Sequence, residues 1–382
     1  MHSLRRANQQ TAARQNRHLV LNLLQQRGPM SRRQLAQTTR LQGSTLTYIV
    51  RDLLDQHVLR PAGKHDGGTV GPKHELIEIN GAMGHVVGVD VRRKGANIVV
   101  RDLAGGLVDI IELPMPGRLN ELHHVIGRAL DQHMADRRER IGPLLGIGVG
   151  VAGVTNADTG VVLNSTSFDV RDLPLRDILA ERFADAAILI DHNTNFAAHA
   201  EHREGAARGL DDFILLLFDP DRDSTAAPTY RSFGAALYLS GRIYRGAHYA
   251  AGEIDVNIAP RPQFVAELAE IDLLCQPDAP LTDNLRQFAD MLARTICSMI
   301  NLVDPRAVIL SSSQIIANHA FLDAIREQLP KRVVAVATRN VPVIASTLAT
   351  RAVARGAALA VADTVLGRCA EKSAAPVAAS FA

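Results

Sequence analysis

The sequence predicts an α/β protein with a winged helix-turn-helix in residues 1–80, ahead of a larger domain over 81–370. Three observations carry this. Three short amphipathic helical stretches with matched start and stop signals open the chain and run into a Gly-rich hairpin. Apolar strands and helical stretches then alternate to the end, as in layered α/β architectures. Charge divides the same way: residues 1–80 hold twelve Lys/Arg against five Asp/Glu, the remainder thirty against thirty-five.

The first helical face is Leu19, Val20, Leu23 and Leu24 within residues 14–27, stopped by Gly28-Pro29. Ser31 stands where an N-cap belongs, and Gln34 three residues on completes a capping box, giving a short helix that ends near Thr39. After the turn Leu41-Gln42-Gly43, Ser44 is expected to cap a third helix, which runs to about His57 on Leu46, Ile49, Val50, Leu53 and Leu54. Residues 58–60 read as a strand and 75–79 as its alternating partner, with a basic, Gly-rich tip over 61–74.

Beyond residue 85, strands are expected at 85–91, 96–101, 145–151, 187–191, 213–218 and 307–310. Helices are expected at 119–137, 174–184, 194–207, 283–303 and 318–329. A β-rich start followed by helices occurs twice (85–137 and 213–303), which points to two similar lobes. Residues 371–382 read as a frayed tail.

Hydrophobic residues make up 47% and charged residues 21%, a globular balance, with no Trp and a core resting on Leu, Val, Ile and Ala. Cys275, Cys297 and Cys369 form neither a disulfide framework nor a metal clamp, so reduced thiols in the cytoplasm are expected. No apolar run approaches the ~20 residues of a membrane span, and the start is too polar for a secretory signal.

The amino-terminal residues of a recognition helix lie against base edges in the major groove. Here they are Gln42, Ser44, Thr45, Thr47 and Tyr48, with Arg51 one turn further on. These are short polar groups able to bond bases, and Thr adds a methyl for thymine. Arg32, Arg33, Arg40, Lys64 and Lys73 are placed to hold phosphates, which set affinity rather than sequence. A double-stranded DNA operator is the partner this implies; a three-helix bundle for protein contacts is the alternative.

Four stretches carry a family resemblance: Gly146–Val154, Thr159–Ser165, Gly205–Phe213 and Tyr244–Ile254, the last with Ala251-Gly252-Glu253-Ile254. They resemble the ROK family of sugar kinases and sugar-responsive repressors, and a winged helix ahead of them resembles its repressor branch. The resemblance implies a two-lobed actin-like ATPase fold, with lobes of about 81–195 plus the C-terminal helix and 196–345. It also implies a sugar or sugar-phosphate effector in the cleft, near Asn164, His192, Asn193 and Glu253; an active sugar kinase, or a regulator whose cleft has lost its ligand and answers to a protein partner, are the alternatives.

The departures point away from catalysis. The family's D-x-G-G-T phosphate turn stands here as Asp90-Val-Arg-Arg-Lys-Gly95. Its G-T-G-x-G-x-G loop is replaced within Asp219–Gly234, and its third, Gly-Gly turn by Ser311-Ser-Ser313. Backbone nests for phosphate are not copied by such residues. The general base in E-N-D-A-N becomes Asn193 in Asp191-His-Asn-Thr-Asn195, and an amide takes no proton at neutral pH. His192 is the remaining titratable neighbour, as a substitute base or a plain hydrogen-bonding histidine. The family's zinc ligands are missing too: Val256 takes the His position and Cys275 stands without the cysteine cluster. The expectation is therefore no enzyme, no cofactor, no metal and a homodimer or tetramer on a pseudo-palindromic operator.

Overall fold

A computed structural model describes residues 2–64, 75–93, 95–114, 118–135, 141–220, 230–254, 268–312, 316–333 and 341–371. Helix α1 (His2–Arg27) starts twelve residues earlier than its apolar face suggests and ends where Gly28, at φ +76°, donates to Leu24 O at 2.9 Å. Strand β1 (Met30–Ser31) leads into α2 (Arg32–Thr39), and the capping box is present. Gln34 N donates to Ser31 Oγ (3.3 Å) and Ser31 N to Gln34 Oε1 (2.8 Å).

Helix α3 (Gly43–Asp55) corrects one expectation. Its N-cap is Gln42, not Ser44. Leu46 N donates to Gln42 O at 3.0 Å, so the ladder starts two residues before the serine, which lies inside the first turn. Strands β2 (Leu59–Lys64) and β3 (Glu75–Ile79) follow, β2 reaching further than the sequence suggested. The sheet order is β1-β3-β2, with Met30 opposite Ile77 and Leu59 opposite Ile79. Residues 65–74, including Lys73, lie outside the described residues.

The larger part holds β4 (His85–Val91), β5 (Gly95–Asp102), β6 (Leu107–Pro114), α4 (Leu122–Met134) and β7 (Leu144–Val151). Next come β8 (Val154–Asn156), β9 (Val161–Ser165), β10 (Val170–Leu173), α5 (Leu175–Ala180), β11 (Ala187–His192) and α6 (Asn193–Glu204). The second half holds β12 (Phe213–Pro220), β13 (Tyr230–Leu239), β14 (Arg242–Tyr244), α7 (Leu268–Leu273), α8 (Asp283–Val303) and β15 (Ala307–Ser311). The last elements are α9 (His319–Arg326), α10 (Leu329–Arg332), β16 (Val343–Ala345) and α11 (Ala352–Ala370).

Two five-stranded sheets result, β11-β7-β4-β5-β6 and β16-β15-β12-β13-β14. Each is an antiparallel meander extended by parallel strands in the same order, so the chain repeats one lobe. A small antiparallel sheet, β10-β9-β8, sits on the first lobe. Residues 230–234, read from sequence as loop, instead begin β13, because Ser232 and Phe233 pair with Asp219 and Phe218.

Glycines set how closely α11 approaches. A Cβ on Gly88 of β4 would lie 1.9 Å from Ala354 O, and one on Gly148 of β7 2.4 Å from Ala357 O. A Cβ on Gly356 would lie 1.7 Å from Phe196 O of α6. Helix α11 therefore packs backbone to backbone on both the sheet and α6. It also shares a core with the amino-terminal unit: Val20, Leu21, Leu24 and Leu53 cluster with Val361, Val365 and Leu366. Each such side chain contributes about 1.5–3 kcal/mol on burial, so residue 80 marks no break in packing.

Candidate nucleic-acid interface and ligand cleft

One face of α3 buries Leu46, Ile49, Val50 and Leu53. The opposite face exposes Ser44, Thr47, Tyr48 and Arg51, with Gln42 exposed at the start and Thr45 half-buried at the margin. Tyr48 is 48% exposed, a large aromatic left in solvent, and the Arg51 guanidinium lies 5.7 Å from its ring centroid. Thr47 Oγ1 donates back to Gly43 O at 2.7 Å, which leaves its oxygen to accept and its methyl to make apolar contact. Arg33 and Arg40 are exposed beside this face. Arg32 instead pairs with Glu75 of β3 at 3.1 Å, so its charge is partly answered within the protein.

The cleft between the lobes is built at the start of α6. His192 closes β11 and caps the helix; its Nδ1 accepts Thr194 N–H at 3.3 Å and lies 2.5 Å from Thr194 Oγ1. That cap requires the proton on Nε2, which faces Glu253 Oε1 at 3.4 Å. Burial pushes the His192 pKa down, and the charges of Glu253 and then Asp191 oppose the shift. Both ring nitrogens are thus engaged, Nδ1 by Thr194 and Nε2 by Glu253.

Asp191 is buried (3% exposed) and receives four donors. His192 N and Asn195 Nδ2 each reach Oδ1 at 2.8 Å; Arg245 reaches Oδ2 with Nη2 at 2.6 Å and Nε at 3.0 Å. Arg245 follows β14, so this pair ties the second lobe to the first. Tyr249 Oη, from the same segment, donates to Asp158 Oδ2 at 2.5 Å, and Tyr249 holds φ +59°. Gly252, at φ +90°, lets the segment lie against β13, where a Cβ would meet Ala235 O at 2.0 Å. The cleft is half open and measures about 90 Å³, lined by Thr166, Ser167, His192, Asn193, Phe233 and Glu253 among others.

His192, Asn193 and Glu253 are thus brought together in the lining, whereas Asn164, exposed on β9 opposite Val154 and Arg171, borders the lining residue Gly153 without joining it. Thr166, Ser167 and Phe233 are additions. The two hydroxyls immediately follow the motif that ends at Ser165; Phe233 was hidden by the loop reading of its segment.

At the first phosphate turn, Arg92 N donates to Gly95 O (2.8 Å), and Arg92 Nε folds back onto buried Asp90 Oδ2 (2.9 Å). Ser311 is fully buried in β15, and Ser312 is also buried; Lys94, residues 221–229 and Ser313 lie outside the described residues. Among those described, no group of three His, Cys, Asp or Glu is placed to hold a metal. Val256 lies outside them, and Cys275 is half-buried in the turn after α7. Among the described residues, no helix is long and apolar enough to cross a membrane.

Comparison with known proteins places this geometry. The DNA-binding transcriptional dual regulator NagC of Escherichia coli (strain K12) is 24% identical over 373 residues, covering 87% of this chain and 89% of NagC. The xylose repressor of Bacillus subtilis (strain 168) is 22% identical over 398 residues, covering 94% of this chain and 98% of the repressor. A crystal structure of a ROK family transcriptional regulator, a homologue of the E. coli MLC protein, superposes with a TM-score of 0.72 at 18% identity. It covers 97% of this chain and 99% of its own. A ROK family glucokinase from Streptomyces griseus, solved with glucose and AMPPNP, gives 0.58 at 21% identity over 72% of this chain and 99% of its own. The model of the ROK family matches residues 86–257 and 260–364, which with the doubled lobe and its cleft assigns the chain: it belongs to the ROK family.

Proposed function

We propose that this chain is a sequence-specific DNA-binding transcriptional regulator, a repressor of carbohydrate-metabolism genes. Its amino-terminal 80 residues act as a winged helix-turn-helix. The observation that carries the reading is the outward stripe of α3, where Ser44, Thr47, Tyr48 and Arg51 stand exposed beside Arg33 and Arg40. The +7 charge of residues 1–80 and relatives named as transcriptional regulators and repressors support it. Residues 81–370 serve as dimerisation body and effector sensor. Two copies present their α3 helices about one DNA turn, ~34 Å, apart.

The cleft takes a sugar or sugar phosphate without phosphorylating it. Asn193 accepts no proton, His192 is committed to its cap, and Arg92 covers Asp90 where a phosphate nest would open. Purified protein is expected to release no ADP from ATP with any hexose or amino sugar; sugar-stimulated turnover refutes this half. For DNA, selection of binding sites from genomic fragments tests the reading. One recurrent pseudo-palindrome is expected. Binding that shows no preferred sequence and vanishes steeply with salt overturns it.

A second reading, a regulator governed by a protein partner with no ligand in the cleft, is supported by the internal engagement of the cleft groups, His192 by Thr194 and Glu253 and Asp191 by Arg245. Thermal-shift screening with sugars and sugar phosphates separates the two, since an effector of the folded state raises the melting temperature.

A further inference from the structure

The last turn of α6 makes polar contacts with both lobes, with α11 and with α1. Glu201, fully buried, accepts a hydrogen bond from Ser346 Oγ, just beyond β16 of the second lobe. His202 Nδ1 lies 3.2 Å from Tyr238 Oη on β13 of the same lobe, with the two rings stacked. Arg203 turns the other way. Its Nη2 donates to Gln25 Oε1 of α1 at 2.6 Å, and its Nη1 to both oxygens of Asp363 on α11, at 2.8 and 3.0 Å. Glu204 takes Arg101 of β5 through both oxygens (2.5 and 2.9 Å) and Arg355 of α11 at 3.1 Å.

The seam that Arg203 closes is unusual in its chemistry. Helices α1 and α11 run antiparallel there: Arg14 pairs with Glu371, His18 lies beside Gly367, and Gln25 reaches Asp363 through Arg203. Along this face the buried atoms His18 Nε2, Asn22 Oδ1 and Gln25 Nε2 have no hydrogen-bonding partner among the described residues. Unanswered polar atoms lower what this interface contributes beside its apolar core of Val20, Leu21, Val361 and Val365. The other end of α6 is the cleft, where His192 and Asn193 sit ~15 Å from Arg203 at 1.5 Å per residue.

We propose that Arg203 is the positioning residue that couples the second lobe to the seat of the amino-terminal unit. Lobe movement reaches the last turn of α6 through Ser346 and Tyr238 and leaves it through Gln25. This gives the regulator proposed above a route from cleft to DNA. It rests on that reading for its purpose but not for its test, which needs no DNA.

The test is amide hydrogen exchange on the full-length chain, without DNA or added sugar. Gln25→Ala and Arg203→Lys are each expected to speed exchange across residues 14–27 about five-fold, as loss of one net hydrogen bond does. Strands β4 and β7 are expected to keep their protection. Tyr238→Phe, which removes only the hydroxyl in the second lobe, is expected to speed exchange at 14–27 in the parent chain but not in the Arg203→Lys background. Unchanged exchange at 14–27 in Gln25→Ala overturns the proposal. So does an equal effect of Tyr238→Phe in both backgrounds. A loss of protection throughout both lobes in Arg203→Lys, with none at α1 in Gln25→Ala, marks a merely structural residue and overturns it as well.

Discussion

Arg245 holds the buried carboxylate of Asp191 from the opposite lobe, with two nitrogens on one oxygen at 2.6 and 3.0 Å. Removing the guanidinium leaves Asp191 its two neutral donors and a charge in a site 3% exposed. Arg245→Ala is therefore expected to lower stability by about 2–3 kcal/mol, read from urea unfolding, and Arg245→Lys to restore part of it. Equal midpoints for the parent and Arg245→Ala would show that the lobes do not depend on this pair.

DNA recognition divides between base and phosphate contacts. Tyr48→Ala and Arg51→Ala each remove a group from the exposed face of α3 without touching its buried side. Each is expected to cost about 1–3 kcal/mol of operator affinity and to relax sequence preference. Arg33→Ala is expected instead to weaken all sequences alike and to reduce the salt slope by about one. Fluorescence anisotropy at several salt concentrations distinguishes them.

His192 makes stability depend on acid. Burial lowers its pKa in the folded chain, so the unfolded chain takes the proton first as pH falls. The stability is complete above the unfolded value of ~6.5 and is lost as pH drops from there through the lower folded value. His192→Asn keeps a side-chain cap but cannot titrate. Unfolding free energies between pH 7.5 and 5 are expected to fall less steeply for His192→Asn than for the parent; parallel curves would count against a neutral His192.

Gly356 tests the packing of α11. Intrinsic preference alone makes Gly→Ala in a helix favourable by about 1 kcal/mol. Here the added methyl meets Phe196 O at 1.7 Å, a backbone atom that cannot rotate away. Gly356→Ala is expected to destabilise by about 2–3 kcal/mol, with exchange rising in both α6 and α11.

Local signals were legible where short-range chemistry decides. Ser31 and Gln34 announced their own capping box, and the 3.6-residue period of α3 separated Tyr48 and Arg51 from Leu46 and Ile49. Ser44 misled because a good capping residue does not fix the cap when the preceding backbone already starts the ladder at Gln42. The cleft was half legible. The motif carrying Glu253 led to its position, but Arg245 and Tyr249 draw their importance from Asp191 and Asp158, 54 and 91 residues away, and no local pattern encodes such pairs. Phe233 entered the lining because strand pairing with Phe218, a non-local event, converted an expected loop into β13.

The docking of α1 on α11 also has a consequence for how the molecule is made. The seat that orients the first helix includes Val361, Val365, Leu366 and Asp363, which leave the ribosome more than three hundred residues after it. Until then Val20, Leu21 and Leu24 are covered only by the amino-terminal unit's own apolar residues, Leu35, Leu46 and Leu53 among them. In that interval the amino-terminal unit has no fixed orientation on the rest of the chain, so a nascent copy of the regulator proposed above engages an operator, if at all, as a tethered small module.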